Sequence, residues 1–433
     1  MKKKKKLSIL FIIFREEKLG YKDIDHILPF LYFLNKSNDI NLNAKLLIFS
    51  DEITYKKNID PRIKFLFNLK NVELIFLYNN KLFCSLKNLL TLKNNSKLAF
   101  LFNKIINKFY FIFFKLKKEN IILKNKNLID FIKNKNFLIA TTTINRKEIL
   151  EFIKKINNKS KWMVIPHGTT LLDNSMVMDT DLNKYAKKNS GASVKKIDYI
   201  LTTSEQDLQN IIANMTDKNK FHVIGSPRYC KDWLKIKSKF KIDGNDVSLN
   251  KKYKVKILFL IPKNFINIFT DELIRTIDFI SSYQEIELIL LKNNFSYPKI
   301  PSFIAKRSNI RHYYVSVEYS TSKLIEWADI VFHAGTGVIF ESFMKEKVTV
   351  LPRYLTCNTL ISDKYNAGLN LRNRDELRNL CNAAVISLEN LKKEYKKKSN
   401  SSNKKFINQC VNGNLNSVPK MIQKSLLSIV SKF

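Results

Sequence analysis

Residues 328–344, which read ADIVFHAGTGVIFESFM, decide the fold because they join a buried strand, a glycine-rich turn and the start of a helix. The unbroken apolar run before the turn is typical of a strand that is buried on both faces. In an open α/β sheet, the turn after such a strand faces the ligand-binding crevice. The segment therefore predicts a parallel sheet with a ligand site at its carboxyl edge.

The same alternation of strands and helices recurs on both sides of this segment and predicts βαβ units. The chain has 433 residues, which suits two domains. Residues 235–254 are rich in Lys, Ser, Asp and Asn and have no apolar rhythm, as is typical of linkers. We therefore expect an α/β protein with two Rossmann-like, doubly wound domains facing a cleft. The first spans residues 1–234 and the second, with a C-terminal helix, spans residues 255–433.

Two segments, one that follows a run of lysines and one that is itself rich in lysine, are assigned from composition. Residues 7–14 follow five lysines, but charged residues stand after them where a signal peptide would carry a cleavage site. A buried first strand is therefore expected there. Residues 392–405 (KKEYKKKSNSSNKK) are low in complexity and are expected to form a mobile loop.

The formal net charge is +38, from 76 Lys and Arg against 38 Asp and Glu. One interpretation is a solvated surface enriched in the residues of AT-rich codons. The other is an anionic partner: nucleotide phosphates, an acidic glycan or the anionic inner leaflet of a membrane. No zinc-finger spacing or ribonucleoprotein-type aromatic strand is present, so a specific nucleic-acid partner is not expected.

Residues 99–118 (AFLFNKIINKFYFIFFKLKK) form a basic aromatic segment with two open interpretations. It suits an interfacial membrane helix, and it equally suits a helix packed on a sheet. The five cysteines are scattered without a Cys-x-x-Cys pair, as in proteins of a reducing compartment. We expect a cytoplasmic protein, peripheral on the inner face of the cytoplasmic membrane if the segment is interfacial.

The turn in the opening segment carries the strongest signal for a binding site. Its glycines allow close approach of the backbone, and free N–H groups at a helix start bind phosphate. A carboxylate one turn into the helix could accept a ribose hydroxyl, and the next strand ends beside an arginine. An ordinary βα turn with a solvated carboxylate is the alternative. The candidate substrate-binding residues here are His333, Gly335, Thr336, Gly337, Glu341 and Arg353.

Together with KEKVTVLPRY at 345–354 and NAGL at 366–369, this pattern resembles the donor domain of GT-B fold glycosyltransferases. The resemblance extends to surface-polysaccharide glycosyltransferases, CDP-glycerol glycerophosphotransferases and the related non-hydrolysing sugar-nucleotide 2-epimerases. It implies that Gly335, Thr336 and Gly337 hold the donor phosphates and that Glu341 binds the ribose. Glu341 has no partner for a retaining-type Glu-x₇-Glu pair, since Val348 stands seven residues after it and Thr349 eight.

Two motifs in the first half support the resemblance, which covers roughly residues 160–390. IPHGTT at 165–170 is similar to the His-Gly of the glycerophosphotransferase-like group, in which the histidine is a candidate general base. His167 would therefore be the base, since imidazole suits proton removal near neutral pH, and Gly168 and Thr169 would contact substrate. GSPRY at 225–229 would bring Arg228 to a phosphate. A structural imidazole and a solvent-facing arginine are the alternatives.

Metal sites and bound cofactors are not expected. The five histidines lack helical pairing, and the Asp-x-Asp at 179–181 lies in a polar stretch. The nucleotide-activated donor would be a co-substrate, with its leaving group neutralised by cations.

The first hypothesis is a glycosyltransferase, or polyol-phosphate transferase, of bacterial cell-surface polysaccharide or capsule synthesis. Its partners would be a nucleotide-sugar donor and a glycan or lipid-linked acceptor. The second hypothesis is a non-hydrolysing sugar-nucleotide 2-epimerase, which needs no acceptor. The third is a non-catalytic nucleotide-binding or membrane-surface scaffold of the same fold.

Overall fold

The computed structural model describes most of the chain, with gaps between its described segments. The described residues are 4–13, 20–48, 52, 61–76, 122–123, 125–134, 136–142, 147–166, 197–205, 218–240, 253–262, 268–292, 298–314, 321–413 and 417–432. The basic aromatic segment at 99–118 lies outside them. Within these segments, no helix is long and apolar enough to cross a membrane.

The first sheet has seven parallel strands in the order β3-β2-β1-β4-β5-β6-β7. The chain moves outward from β1 to one edge, then returns and builds the other edge from β4. This reversal creates the switch point at which open α/β sheets bind ligands. The strands are β1 (Lys5–Ile13), β2 (Ile40–Ile48), β3 (Val72–Phe76), β4 (Leu138–Thr141), β5 (Lys161–Val164), β6 (Tyr199–Thr202) and β7 (Phe221–Val223).

The second sheet repeats this plan with six parallel strands in the order β10-β9-β8-β11-β12-β13. Its switch point lies between β8 and β11, and β11 is the strand that opens into the glycine-rich turn. The strands are β8 (Val255–Leu260), β9 (Ile286–Lys292), β10 (Ile310–Tyr314), β11 (Ile330–His333), β12 (Val348–Pro352) and β13 (Leu369–Leu371).

Both sheets are buried on both faces, which explains their continuous apolar runs. Along β1, Ile9 and Phe11 point into one core while Leu10 and Ile12 point into the core on the opposite face. The strands β8 and β11 divide their side chains between two cores in the same way. The predicted fold class, α/β with two parallel sheets, is confirmed.

Helices cover the faces of both sheets. Around the first sheet they are α1 (Gly20–Asn35), α2 (Pro61–Phe67), α3 (Lys126–Asn134), α4 (Lys147–Ile156) and α5 (Lys231–Lys237). In the second half they are α6 (Thr270–Ser281), α7 (Ser302–Ala305), α8 (Thr321–Trp327), α9 (Ile339–Met344), α10 (Ile361–Lys364), α11 (Arg374–Cys410) and α12 (Val418–Val430).

The predicted mobile loop at 392–405 is wrong, because these residues continue the 37-residue helix α11 past a kink at Ser387. Tyr395, Phe406 and Cys410 are buried, whereas most of the lysines between them are exposed. The prediction missed the helix because its buried residues are widely spaced among exposed residues of low complexity.

The last helix, α12, returns to the first half of the molecule. Val418, Ile422, Leu426 and Ile429 form a stripe at helical spacing that joins the core beneath β1 and α1. The helix counted with the second domain in the sequence analysis therefore packs on the first. The limits 1–234, 235–254 and 255–433 stay a prediction, and α5 extends to Lys237, inside the predicted linker.

The chain returns through a tight crossing at residues 411–413. The Ser226 N–H donates to the Val411 carbonyl at 2.6 Å. Gly225 has a φ of +75°, and a Cβ built there would lie 2.6 Å from Val418 Cγ2. Neither the conformation nor the space suits a side chain at this position.

Gly225→Ala is therefore expected to lower the free energy of unfolding by about 2–3 kcal/mol, through overpacking and strain at positive φ. Urea unfolding measures the change. Gly337→Ala is the matched control, since its Cβ would meet Tyr229 Oη at an ordinary 3.6 Å. Equal urea midpoints for Gly225→Ala and the wild type would contradict this account of the crossing.

Candidate nucleotide-binding cleft

The glycine-rich turn lies where the sequence analysis placed it, between β11 and α9. Gly335 has a φ of +92°, which reverses the chain directly after the buried strand. Residues 335–338 are half-buried, so their backbone remains accessible from the cleft. Because α9 has only six residues, its dipole is small, and binding of an anion would depend on the N–H groups of the turn and on nearby cations.

Glu341 is a buried carboxylate one turn beyond the glycines. It accepts hydrogen bonds from the Ser322 hydroxyl and, at 3.1 Å, from Lys237 Nζ, while Lys345 Nζ lies 3.6 Å away. Burial alone would raise the pKa of Glu341, but the two lysines and the serine outweigh burial and lower it. The side chain is therefore ionised, and the solvated alternative is wrong.

His333 contacts the backbone of the turn, and Arg353 holds the loop that follows β12. His333 Nδ1 accepts the Gly335 N–H at 3.3 Å, which leaves its hydrogen on Nε2. Burial, helped by the charge of Arg353, lowers the pKa of His333 to about 3, so the imidazole is neutral. Arg353 donates to the Asn358 carbonyl at 2.9 Å and pairs with Asp363 at 3.3 Å. Both residues hold loop backbone here, and their contact with substrate stays a prediction.

Arg228, from the first domain, belongs to a network of charges on α1. Its Nη2 lies 2.8 Å from Asp25, whose other oxygen accepts from Arg62 at 2.5 Å. His26 Nε2 lies 3.4 Å from Arg228 Nη1. Burial alone would raise the pKa of Asp25, but Arg62, Arg228 and Lys237 together hold it well below its usual range. The solvent-facing alternative for Arg228 is therefore wrong.

Tyr229 brings the first domain against the glycine-rich turn. Its ring lies 5.5 Å from that of Phe340, and both belong to one apolar cluster with residues of α11. Its hydroxyl is the nearest atom to the side-chain position of Gly337. Burial raises the pKa of Tyr229 to about 12, although Arg228 acts in the opposite direction. Residues of both halves of the chain therefore meet beside the glycine-rich turn.

One part of the predicted site, the His-Gly motif, stays a prediction. His167, Gly168 and Thr169 lie outside the described residues; strand β5 ends at Val164, just before them. Among the residues that are described, no group of His, Cys, Asp or Glu side chains could hold a metal ion.

Sequence reasoning missed three residues of this cleft, Asp25, Tyr229 and Lys237. Asp25 lies in α1, and its arginine partners, Arg62 and Arg228, are far away in the sequence. Lys237 fell in the predicted linker. Tyr229 directly follows Arg228 in the GSPRY motif, which was the one available signal.

Asp25→Asn is expected to lower the free energy of unfolding at pH 7 by about 2–4 kcal/mol, because two arginines lose their carboxylate partner. The folded-state pKa of Asp25 lies below the unfolded value. The pairs therefore stabilise the protein above about pH 4, and this contribution is lost as the pH falls further.

Urea unfolding at pH 7 and pH 3 measures both effects, with the exposed Asp39→Asn as the control. The wild type should lose more stability over this interval than Asp25→Asn does. Equal losses would show that Asp25 is not the ion-paired group described here.

Comparison with known proteins gives matches in structure but not in sequence. No family model matches the chain, and no curated protein matches its sequence. The UDP-GlcNAc 2-epimerase of Neisseria meningitidis, solved with UDP-GlcNAc, superposes with a TM-score of 0.54 at 14% identity over 98% of this chain and 100% of that one.

Two further solved structures give similar values. Anabaena HepE, in complex with UDP and glucose, has a TM-score of 0.51 at 11% identity over 98% of this chain and 100% of its own. S. aureus MnaA with UDP has a TM-score of 0.52 at 12% identity over 93% and 95%. The matches span both sheets, so the resemblance seen in the sequence is confirmed at the level of the fold. The chain therefore has the GT-B fold, with two Rossmann-like domains on either side of a cleft.

Proposed function

We propose that the chain is an enzyme that binds a nucleotide-activated sugar in this cleft. The observation that carries the proposal is the ionised, buried Glu341 beside the half-buried turn of Gly335 to Gly337. The turn follows β11 at the switch point of the second sheet, which is where open α/β sheets bind ligands. The backbone N–H groups of the turn would hold the diphosphate, and Glu341 would accept ribose hydroxyls.

The charges around the cleft favour an anionic ligand. Glu341 is faced by two lysines, Lys237 and Lys345, although Lys345 also pairs with Glu326 at 3.5 Å. Asp25 is paired with two arginines, Arg62 and Arg228. Arg228 lies beside Asp25 in the first half of the chain, and the charge of Arg353 acts on His333 in the second half. These cations would stabilise the charge that develops on a diphosphate leaving group.

We propose transfer to an acceptor as the reaction. His167 would remove the proton from an acceptor hydroxyl, whose oxygen would then bond to the anomeric carbon as the bond to the diphosphate breaks. The acceptor would be a glycan or lipid-linked saccharide of a bacterial cell surface. A polyol-phosphate donor would react in the same cleft by attack at phosphorus. We place the reaction in the cytoplasm, at the inner face of the membrane.

Epimerisation at C2 is the second candidate, favoured by the full-length match to the N. meningitidis structure, which is named as a UDP-GlcNAc 2-epimerase. It would require groups in the first domain that donate and accept a proton. Asp25 is a poor acid, because two arginines hold it ionised. The transferase therefore remains our first proposal.

One class of nucleotide should raise the melting temperature of the protein. The screen compares UDP, CDP, CMP, GDP and their common sugar conjugates at fixed salt. A ligand at about 100 times its dissociation constant stabilises the folded state by about 2.7 kcal/mol. Glu341→Gln should reduce the shift by removing the ribose acceptor. The exposed Glu346→Gln is the control, because it lies just beyond the same helix. Absence of a shift with every nucleotide would overturn the proposal.

Product analysis with the stabilising nucleotide sugar separates the two reactions. A transferase should leave most of the sugar nucleotide intact until an acceptor is added, whereas an epimerase should form the 2-epimer without one. Nucleotide binding with neither product, unchanged by His167→Ala, would instead indicate a non-catalytic binding protein.

A further inference from the structure

Lys237 connects the two domains at the candidate nucleotide site. Its helix, α5, is fixed to the first domain by Trp233, whose ring packs against Tyr32 and Phe65 at centroid distances of 5.7 and 6.1 Å. From the last residue of this helix, Lys237 Nζ reaches Glu341 Oε2 at 3.1 Å. The carboxylate belongs to α9 of the second domain, so the ion pair bridges the cleft.

The surroundings of Glu341 leave it little room for another ligand. Oε1 is held within its own domain by Ser322 and Lys345, and Oε2 is taken by Lys237. Only 2% of the Glu341 side chain is exposed, compared with 16% of the Lys237 side chain. A ribose hydroxyl can therefore reach this carboxylate only if Lys237 withdraws.

We propose that Lys237 limits the preference of the nucleotide site for ribose. It covers Glu341, so that the ribose must displace it. The inference rests on the proposed function, in which Glu341 accepts ribose hydroxyls. Withdrawal of Lys237 breaks a contact between the domains, so binding of a ribonucleotide is coupled to opening of the cleft beside α5.

Lys237 is not the only group that stabilises the ionised form of Glu341. Without Lys237, Glu341 keeps Lys345 and the Ser322 hydroxyl as partners. A variant that lacks the Lys237 ammonium should therefore still present a carboxylate, now open on its Oε2 side. Its preference for ribose should increase, because no competing ion pair has to break.

The test compares the dissociation constants of UDP and 2′,3′-dideoxy-UDP, measured by calorimetry, for the wild type and Lys237→Met. The CDP or GDP pair is used instead if the nucleotide screen selects that base. Both nucleotides carry the same diphosphate, so the ratio of their dissociation constants cancels the general effect of a lost positive charge. Lys235→Met, an exposed lysine on the same helix, is the control.

We expect the preference for UDP over its dideoxy analogue to increase about fivefold in Lys237→Met, because the ribose then reaches Glu341 without breaking an ion pair whose lysine is partly exposed. It should stay unchanged in Lys235→Met and in Lys237→Arg. Lys237→Gln serves the same comparison if the Met variant does not fold.

An unchanged or smaller ratio in Lys237→Met would overturn the inference, because Lys237 would then be structural or would orient Glu341 for the ribose. These results differ from failure of the proposed function, in which the wild type binds neither nucleotide. They also differ from a wild type without ribose preference, which would refute the role of Glu341.

Discussion

Burial of both faces of two all-parallel sheets is the constraint on which the rest of the structure depends. A parallel strand needs a crossover helix to reach its neighbour, and the helices cover the sheet on both sides. Side chains can then meet a ligand only at the ends of the strands. In this chain β11 leads directly into the turn at Gly335, and β7 leads into the turn that carries Arg228 and Tyr229. The fold itself therefore places these turns at the ends of the strands, where a ligand can bind.

Three kinds of contact hold the two halves of the cleft together. The chain crosses back at residues 411–413, where a backbone hydrogen bond joins Ser226 to Val411. Tyr229 packs on Phe340 in an apolar cluster that includes residues of α11. The third contact is the ion pair between Lys237 and Glu341. The first two are non-polar or backbone contacts that an anion does not disturb, whereas the ion pair lies in the nucleotide site we propose.

The sheets could be predicted from the sequence because strands buried on both faces are continuous apolar runs, such as residues 9–13 of β1 and 257–260 of β8. The glycine-rich turn could be predicted equally well from the sequence, because Gly335, Thr336 and Gly337 stand together just after a strand. The prediction of a loop at residues 392–405 was wrong for the opposite reason. Their composition suggests a loop, yet Tyr395 and Phe406 are buried anchors of the part of α11 that follows the kink at Ser387.

Pairs of charges were beyond the sequence analysis, because their partners meet only in the folded chain. Glu341 was recognised from its place in the helix, but its partner Lys237 lies in another domain. Asp25 likewise needs Arg62 and Arg228, which come from two different elements. No spacing rule connects such residues, since the packing of separate helices decides which charges become neighbours.

A crystal structure of the protein with its preferred nucleoside diphosphate tests the central claim most directly. We expect phosphate oxygens within hydrogen-bonding distance of the N–H groups of residues 335–337, with the ribose on Glu341. A nucleotide bound elsewhere on the molecule, with the ion pair between Lys237 and Glu341 intact, would contradict it.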